Sequence, residues 1–250
     1  MYYSQEQIVQ LNESFKKLKD VYIQICVDFV SIKYNDERAN EHFQHGFGRR
    51  FHTLYHCINR VFEIYPPDRT AVLNDEEHFD VEIFIQAFII NLYGIVDNLA
   101  WIVNFEKNLG LKNTKVNLYD SQINKFFTEK FNSYLNNEDI HGFKEWYNKH
   151  CANFRHAIGH RIPLYVPPFG ISKTNQYQKI YDQRIKSIIK RDYNKAILLE
   201  EEEDALKHIV PLYLHSYGEK SPQVYIHPQL IADFNTIVEL WENFLKGFNP

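Results

Sequence analysis

The stretch Asn153-Phe154-Arg155-His156-Ala157-Ile158-Gly159-His160-Arg161-Ile162-Pro163 sets two histidines between two arginines. Histidine has an ordinary pKa close to neutrality, so it can take or give a proton at physiological pH. Arginine keeps its charge and offers a planar fork of donors to phosphate or carboxylate. Together they suit proton transfer beside a developing anionic charge. Pro163 lacks an N–H and drives Ile162 out of the α region, so the helix carrying these residues ends at or just before Ile162. Gly159 weakens its last turn. His160 and Arg161 therefore stand at a helix C-terminus, whose partial negative charge favours cationic side chains.

Other residues are weighed against this group. Arg49-Arg50, with His45 and His52 nearby, form a compact basic cluster that would hold phosphates if its helix flanks the motif helix. Arg161 and Tyr165 suit a phosphate and a stacked base, and suit a structural role equally well. His156 and His160, like His52 and His56, are four apart and could each make half a zinc site. No Cys-x2-Cys or His-Glu-x2-His completes one, so neither a metal nor a cofactor is expected. The chain has no Gly-rich phosphate loop, no Gly-x-Ser-x-Gly and no paired carboxylates at useful spacing, which disfavours kinases, α/β hydrolases and glycosidases. On an ideal helix, residues five apart point about 140° away from each other. Joint action of Arg155 and His160 thus calls for distortion near Gly159, a two-subunit arrangement, or both.

The elements that position these groups follow from composition and period. The 250 residues are 44% hydrophobic and 16% aromatic, with nine Gly and nine Pro. That is enough to bury a core, and with long periodic segments it favours an all-α class. The net charge is −4, which argues against broad electrostatic capture of nucleic acid but not against a local cationic site. Cys26, Cys57 and Cys151 lie at no metal-ligand spacing and are expected to be reduced thiols of a cytoplasmic protein. The N-terminal residues carry no secretion signal. The most apolar window, Ile83 to Phe105, includes Gln86, Asn91, Asp97, Asn98 and Asn104. It reads as a buried core helix and not as a bilayer span.

Ser4 and Gln7 form a capping box before a helix whose apolar positions run to Ile32. Further helices are expected near 38–65, 78–109, 121–135 and 141–160, joined by short loops as in an up-and-down bundle. Asp97, amid apolar residues of the second of these, needs a partner, and Arg155 is the attractive one. Residues 164–227 read as a partly extended, Pro-rich insertion or small subdomain in a single domain of residues 1–250. Helices are expected there near 177–190 and 195–208, and a hairpin over Pro211–Tyr217 and Gln223–His227. Pro228 then opens a last helix to Phe248.

Arg155, four intervening residues and His160, with polar His156 directly after the Arg, late in a helix of an all-helical chain, resembles the Arg-x4-His signature of the HEPN superfamily. The resemblance covers roughly residues 80–165. It implies a helical bundle, a homodimer, and for many members metal-independent cleavage of RNA in toxin–antitoxin, defence or RNA-processing systems. The implied catalytic residues are Arg155 and His160, with His156 orienting them. The implied partners are a second copy, an RNA substrate and an antitoxin or other protein, without a membrane. The competing expectation is a noncatalytic helical binding or scaffold protein in which Arg155 and Asp97 are structural.

Overall fold

The computed structural model describes residues 2–140, 142–215 and 223–248. Helix makes up 71% of the structure and strand 5%, so the fold is all-α. The first helix, α1 (Gln5–Ser31), opens on the expected reciprocal capping box between Ser4 and Gln7. α2 (Glu37–Glu41) continues through a π-helical stretch, His42–Gly48, into α3 (Arg49–Ile64). α4 (Asp75–Glu106) starts three residues before the expected position, because Asn74 and Glu77 make a second capping box. It ends where Asn108 and Gly110 take positive φ.

α4 is the hub. It packs against α2, the first π stretch, α3 and, later in the chain, α8 (Asn153–His160) and α11 (Ile226–Gly247), and it buries Val81, Ile85, Phe88, Ile89, Leu92, Ile95, Leu99 and Ile102 completely. By length and composition alone it could cross a bilayer, with a mean hydropathy of 1.6 over its best window. Within the fold, 44% of that window is buried against the neighbouring elements. Around it, Phe43, Phe47 and Phe51 stack toward Trp241 and Phe234. Each such ring contributes on the order of 1.5–3 kcal/mol by leaving water.

A single helix over 121–135 does not form. Instead α5 (Ser121–Asn124) and α6 (Glu129–Leu135) flank a break where Thr128 caps α6 and its N–H donates to the Gly247 carbonyl. The motif helix is α7 (Phe143–Trp146), a π stretch over Tyr147–Ala152, and α8 (Asn153–His160). His141, its expected first residue, lies outside the described residues.

Beyond Pro163 the chain is extended and is tied to α4. The Val166 N–H donates to Glu82, and His78 bonds the Val166 carbonyl. β1 (Gly170–Ile171) pairs antiparallel with β2 (Lys207–His208), and between them α9 (Thr174–Ile189) packs on α10 (Tyr193–Asp204). Lys207 and His208, read from the sequence as helical, are thus strand. β3 (Leu212–Tyr213) pairs with β4 (Val224–Tyr225), as expected of a hairpin; its turn, including Tyr217 to Pro222, lies outside the described residues. His227, assigned to that hairpin from sequence, belongs to α11 (Ile226–Gly247). Leu164, Val166, Ile209, Tyr213 and Val224 join the one hydrophobic core, so the 164–227 segment is packed into the bundle and not merely appended to it.

Two polar ties close the fold. The Trp241 indole donates to Asp28, linking α11 to α1. Buried His227 bonds the Tyr65 carbonyl through Nε2 and Tyr3 through Nδ1.

Candidate functional site

α8 ends at His160 as Pro163 requires, and Arg161 leaves the helical conformation with its N–H still bonded to Ala157. Within this last turn and a half, Arg155 Nη1 lies 3.3 Å from His156 Nδ1 and 3.1 Å from His160 Nε2. A guanidinium has only donors, so both ring nitrogens facing it must be unprotonated acceptors. The 140° separation is bridged by the length of the Arg side chain, and α8 remains regular α-helix through Gly159. Neither the distortion near Gly159 nor the second subunit offered as alternatives from the ideal helix is needed for this contact. A Cβ at Gly159 would meet only Arg155 Nη1, at 3.9 Å.

Tyr93 of α4 lies beneath the motif. The Arg155 guanidinium sits 5.0 Å from its ring centroid, and His156 meets it edge-on at 6.0 Å. Tyr93 also stacks on Tyr147 at 5.5 Å, which carries the motif helix onto α4. His156 is pushed below its ordinary pKa by burial, then by the charges of Arg155, His160 and Arg161. It therefore stays neutral at neutral pH and keeps its acceptor for Arg155.

Asp97, one turn along α4 from Tyr93, does not form an ion pair with Arg155 among the described residues. The two interact through space. Burial raises the Asp97 carboxyl to about 6, while the charges of Arg155 and Arg50 act to lower it. Arg50 thus flanks the acid together with Arg155, because α3 and α8 both pack on α4. Its guanidinium is held by Asn98 Oδ1 at 3.0 Å and Asn91 Oδ1 at 3.1 Å.

Arg49 goes elsewhere. It is exposed, and with His52, Gln44 and Phe29 it lines a cavity of about 500 Å³ away from the motif. Arg161 donates to Asn153 Oδ1 at 3.2 Å, folding back over α8. Tyr165 is 45% exposed with its backbone fixed to Leu214, and no contact joins its ring to the motif among the described residues. His52 and His56 take different partners, Tyr22 and Phe84, and do not converge.

Sequence reasoning missed Tyr93, His42, Asn91, Gly94 and Asn98 as parts of this surface. The available signal was the recurrence of Asn91, Gly94 and Asn98 at three- and four-residue steps on an otherwise apolar helix.

A cavity of about 740 Å³ opens on another face of the motif helix, lined by Trp146, His150, Phe154 and Gln229, and Arg155, His156, His160 and Arg161 do not line it. The motif chemistry therefore sits on an open surface. Fold and site together define an all-α protein that displays an Arg–His cluster at a helix terminus. Comparison with protein-family models, with curated proteins and with solved structures finds no match to the chain.

Proposed function

We propose that the protein is a metal-independent endoribonuclease of the HEPN type, acting as a homodimer in the cytoplasm. The observation that carries this reading is the contact of Arg155 with both His156 and His160 on an accessible surface. The Arg155 guanidinium faces the His160 Nε2 lone pair, the acceptor that a general base offers. When an RNA phosphate draws the guanidinium onto its nonbridging oxygens, that nitrogen is uncovered. His160 then takes the proton of the ribose 2′-OH. The 2′-oxygen bonds to phosphorus and the bond from phosphorus to the 5′-oxygen breaks. The protonated His160 of a second copy supplies the proton to the leaving 5′-oxygen. The products are a 2′,3′-cyclic phosphate and a 5′-hydroxyl.

The two-histidine chemistry calls for that second copy, and an apolar stripe supports one. Phe79, Ile83 and Ile90 are 61%, 60% and 43% exposed along α4, and Ile162 is 61% exposed directly after the motif. A charge of −4 restrains nonspecific binding, which suits a nuclease limited to particular RNAs or held by an antitoxin partner.

The test is cleavage of end-labelled total RNA in excess EDTA. Wild type should leave cyclic phosphate ends, and His160→Ala should lose at least about 10²-fold in rate with an unchanged melting temperature. Cleavage by His160→Ala at the wild-type rate would falsify the assignment. The same surface without cleavage, in a folded dimer, would leave the noncatalytic binding protein.

A further inference from the structure

Arg50 is built differently from the ion-paired arginines of this chain. Arg38, Arg60, Arg69 and Arg184 each face a carboxylate within 3 Å. Arg50 is held by two neutral amide oxygens, those of Asn91 and Asn98. Both amides are themselves fixed: Asn91 Nδ2 donates to the Ala87 carbonyl at 2.7 Å, and Asn98 Nδ2 to His42 Nδ1 at 3.3 Å. Gly94 completes the cradle. A Cβ there would lie 2.4 Å from Arg50 Cζ, so the guanidinium rests on bare helix backbone. The fork is locked, and its charge acts through space on Asp97 with no ion pair among the described residues. Its Nη2 makes no hydrogen bond among the described residues. A fixed guanidinium with a spare donor edge and no ion pair is suited to an anion.

An aromatic surface continues the same face. His42 stacks on Trp101 at 5.5 Å and 24°, and Trp101 on Phe105 at 5.2 Å. From Tyr93, beneath Arg155, to Trp101 the helix rises about 12 Å. We infer that Arg50, cradled by Asn91, Asn98 and Gly94, is a second anion subsite for single-stranded RNA. It takes the phosphate next to the one at Arg155, with the His42–Trp101 stack as a platform for the adjoining base. This rests on the RNA reading above. It adds to that reading a direction for the strand, along α4 from Tyr93 toward Trp101.

The experiment is fluorescence anisotropy with a labelled hexamer of 2′-O-methyl RNA, which binds but cannot be cleaved, titrated at several salt concentrations. Arg50→Gln should weaken binding about tenfold and lower the salt slope by about one phosphate contact. Gly94→Ala keeps the charge but displaces the fork, and should also weaken binding. Arg60→Gln, which removes an arginine already paired with Glu63, should leave it unchanged. Melting curves establish that each variant is folded.

Affinity within twofold of wild type for both Arg50→Gln and Gly94→Ala overturns the inference, as does an absence of hexamer binding by wild type. Cleavage measured in parallel separates the two ideas. Arg50-dependent binding without cleavage leaves the subsite and removes the nuclease. Cleavage that is indifferent to Arg50 does the reverse.

Discussion

At the scale of single residues, Asp97 carries the tension of the site. A carboxyl raised to about 6, against an ordinary value near 3.9, means that the native state holds its proton more tightly than the unfolded chain. Its stabilising share is complete below pH 4 and is lost as pH rises through 6. Two units correspond to about 3 kcal/mol at most, lowered by the water that reaches this half-buried group. Asp97→Asn should therefore raise the melting temperature at pH 7 and leave it nearly unchanged at pH 4. A lower melting temperature at pH 7 would mean that the carboxylate pairs with its arginines more strongly than burial opposes it. That Arg155, His156 and His160 share the last turns of one helix was legible from spacing and Pro163. Their contact was not, because helical geometry points Arg155 and His160 about 140° apart and the reach of the Arg side chain closes the gap. The pairing of Asp97 with Arg155 was legible only in part, because sequence places the acid on the right helix but cannot give the offset that leaves it between two arginines. Arg50 and Arg49 could not be told apart in the sequence. They differ by one helical step, which turns one onto α4 and the other toward α1.

At the scale of elements, helices with long unbroken periodicity were legible, and those whose ends depend on tertiary contacts were not. α1 and α3 end where the period and Pro66 predict. The 121–135 helix breaks because Thr128 reaches Gly247, a partner more than a hundred residues away. Both π stretches carry fully buried side chains, Phe43 and Phe47 in one and Cys151 in the other. The loop from α3 to α4 looks merely polar in sequence, yet it is organised by Arg69. Its guanidinium donates to the carbonyls of Ile64, Ala71 and Val72 and grips both oxygens of Glu77 at 3.0 and 2.7 Å. That grip holds the Glu77 carboxyl below its ordinary pKa, with the Asn74 cap contributing next. Arg69→Lys keeps the charge but cannot reach so many acceptors. It should cost roughly 1–3 kcal/mol, read as a lower urea midpoint at unchanged m-value. A midpoint equal to wild type would show that the loop is held by its apolar contacts.

At the scale of the molecule, the motif helix is fastened to the C-terminal helix by one buried acid. Asp233 is fully buried and accepts from the Trp146 indole at 2.7 Å, from His150 Nε2 at 3.0 Å and from Gln229 at 2.7 Å. Burial alone would push His150 down. The Asp233 carboxylate, by its charge and its hydrogen bond, more than offsets this and holds the imidazole above its ordinary pKa. A histidine raised in the native state stabilises fully below pH 6.5, and its contribution is lost as pH rises through the folded value. Asp233→Ala leaves three part-buried donors without their acceptor and should cost on the order of 1–3 kcal/mol. Asp233→Asn is the sharper test, since it keeps the shape and removes the charge. His150 is then governed by burial, so its sign reverses and the variant loses stability as pH falls below 6.5. Plotted against pH, the difference in unfolding free energy between wild type and Asp233→Asn should be largest near pH 5 and shrink toward pH 9. A difference independent of pH would show that His150 is neutral in both proteins, and that the tie is a set of hydrogen bonds with no ion pair in it. Because this tie sets the position of the π stretch just before Arg155, the same variant should also slow any RNA cleavage while leaving His160 in place.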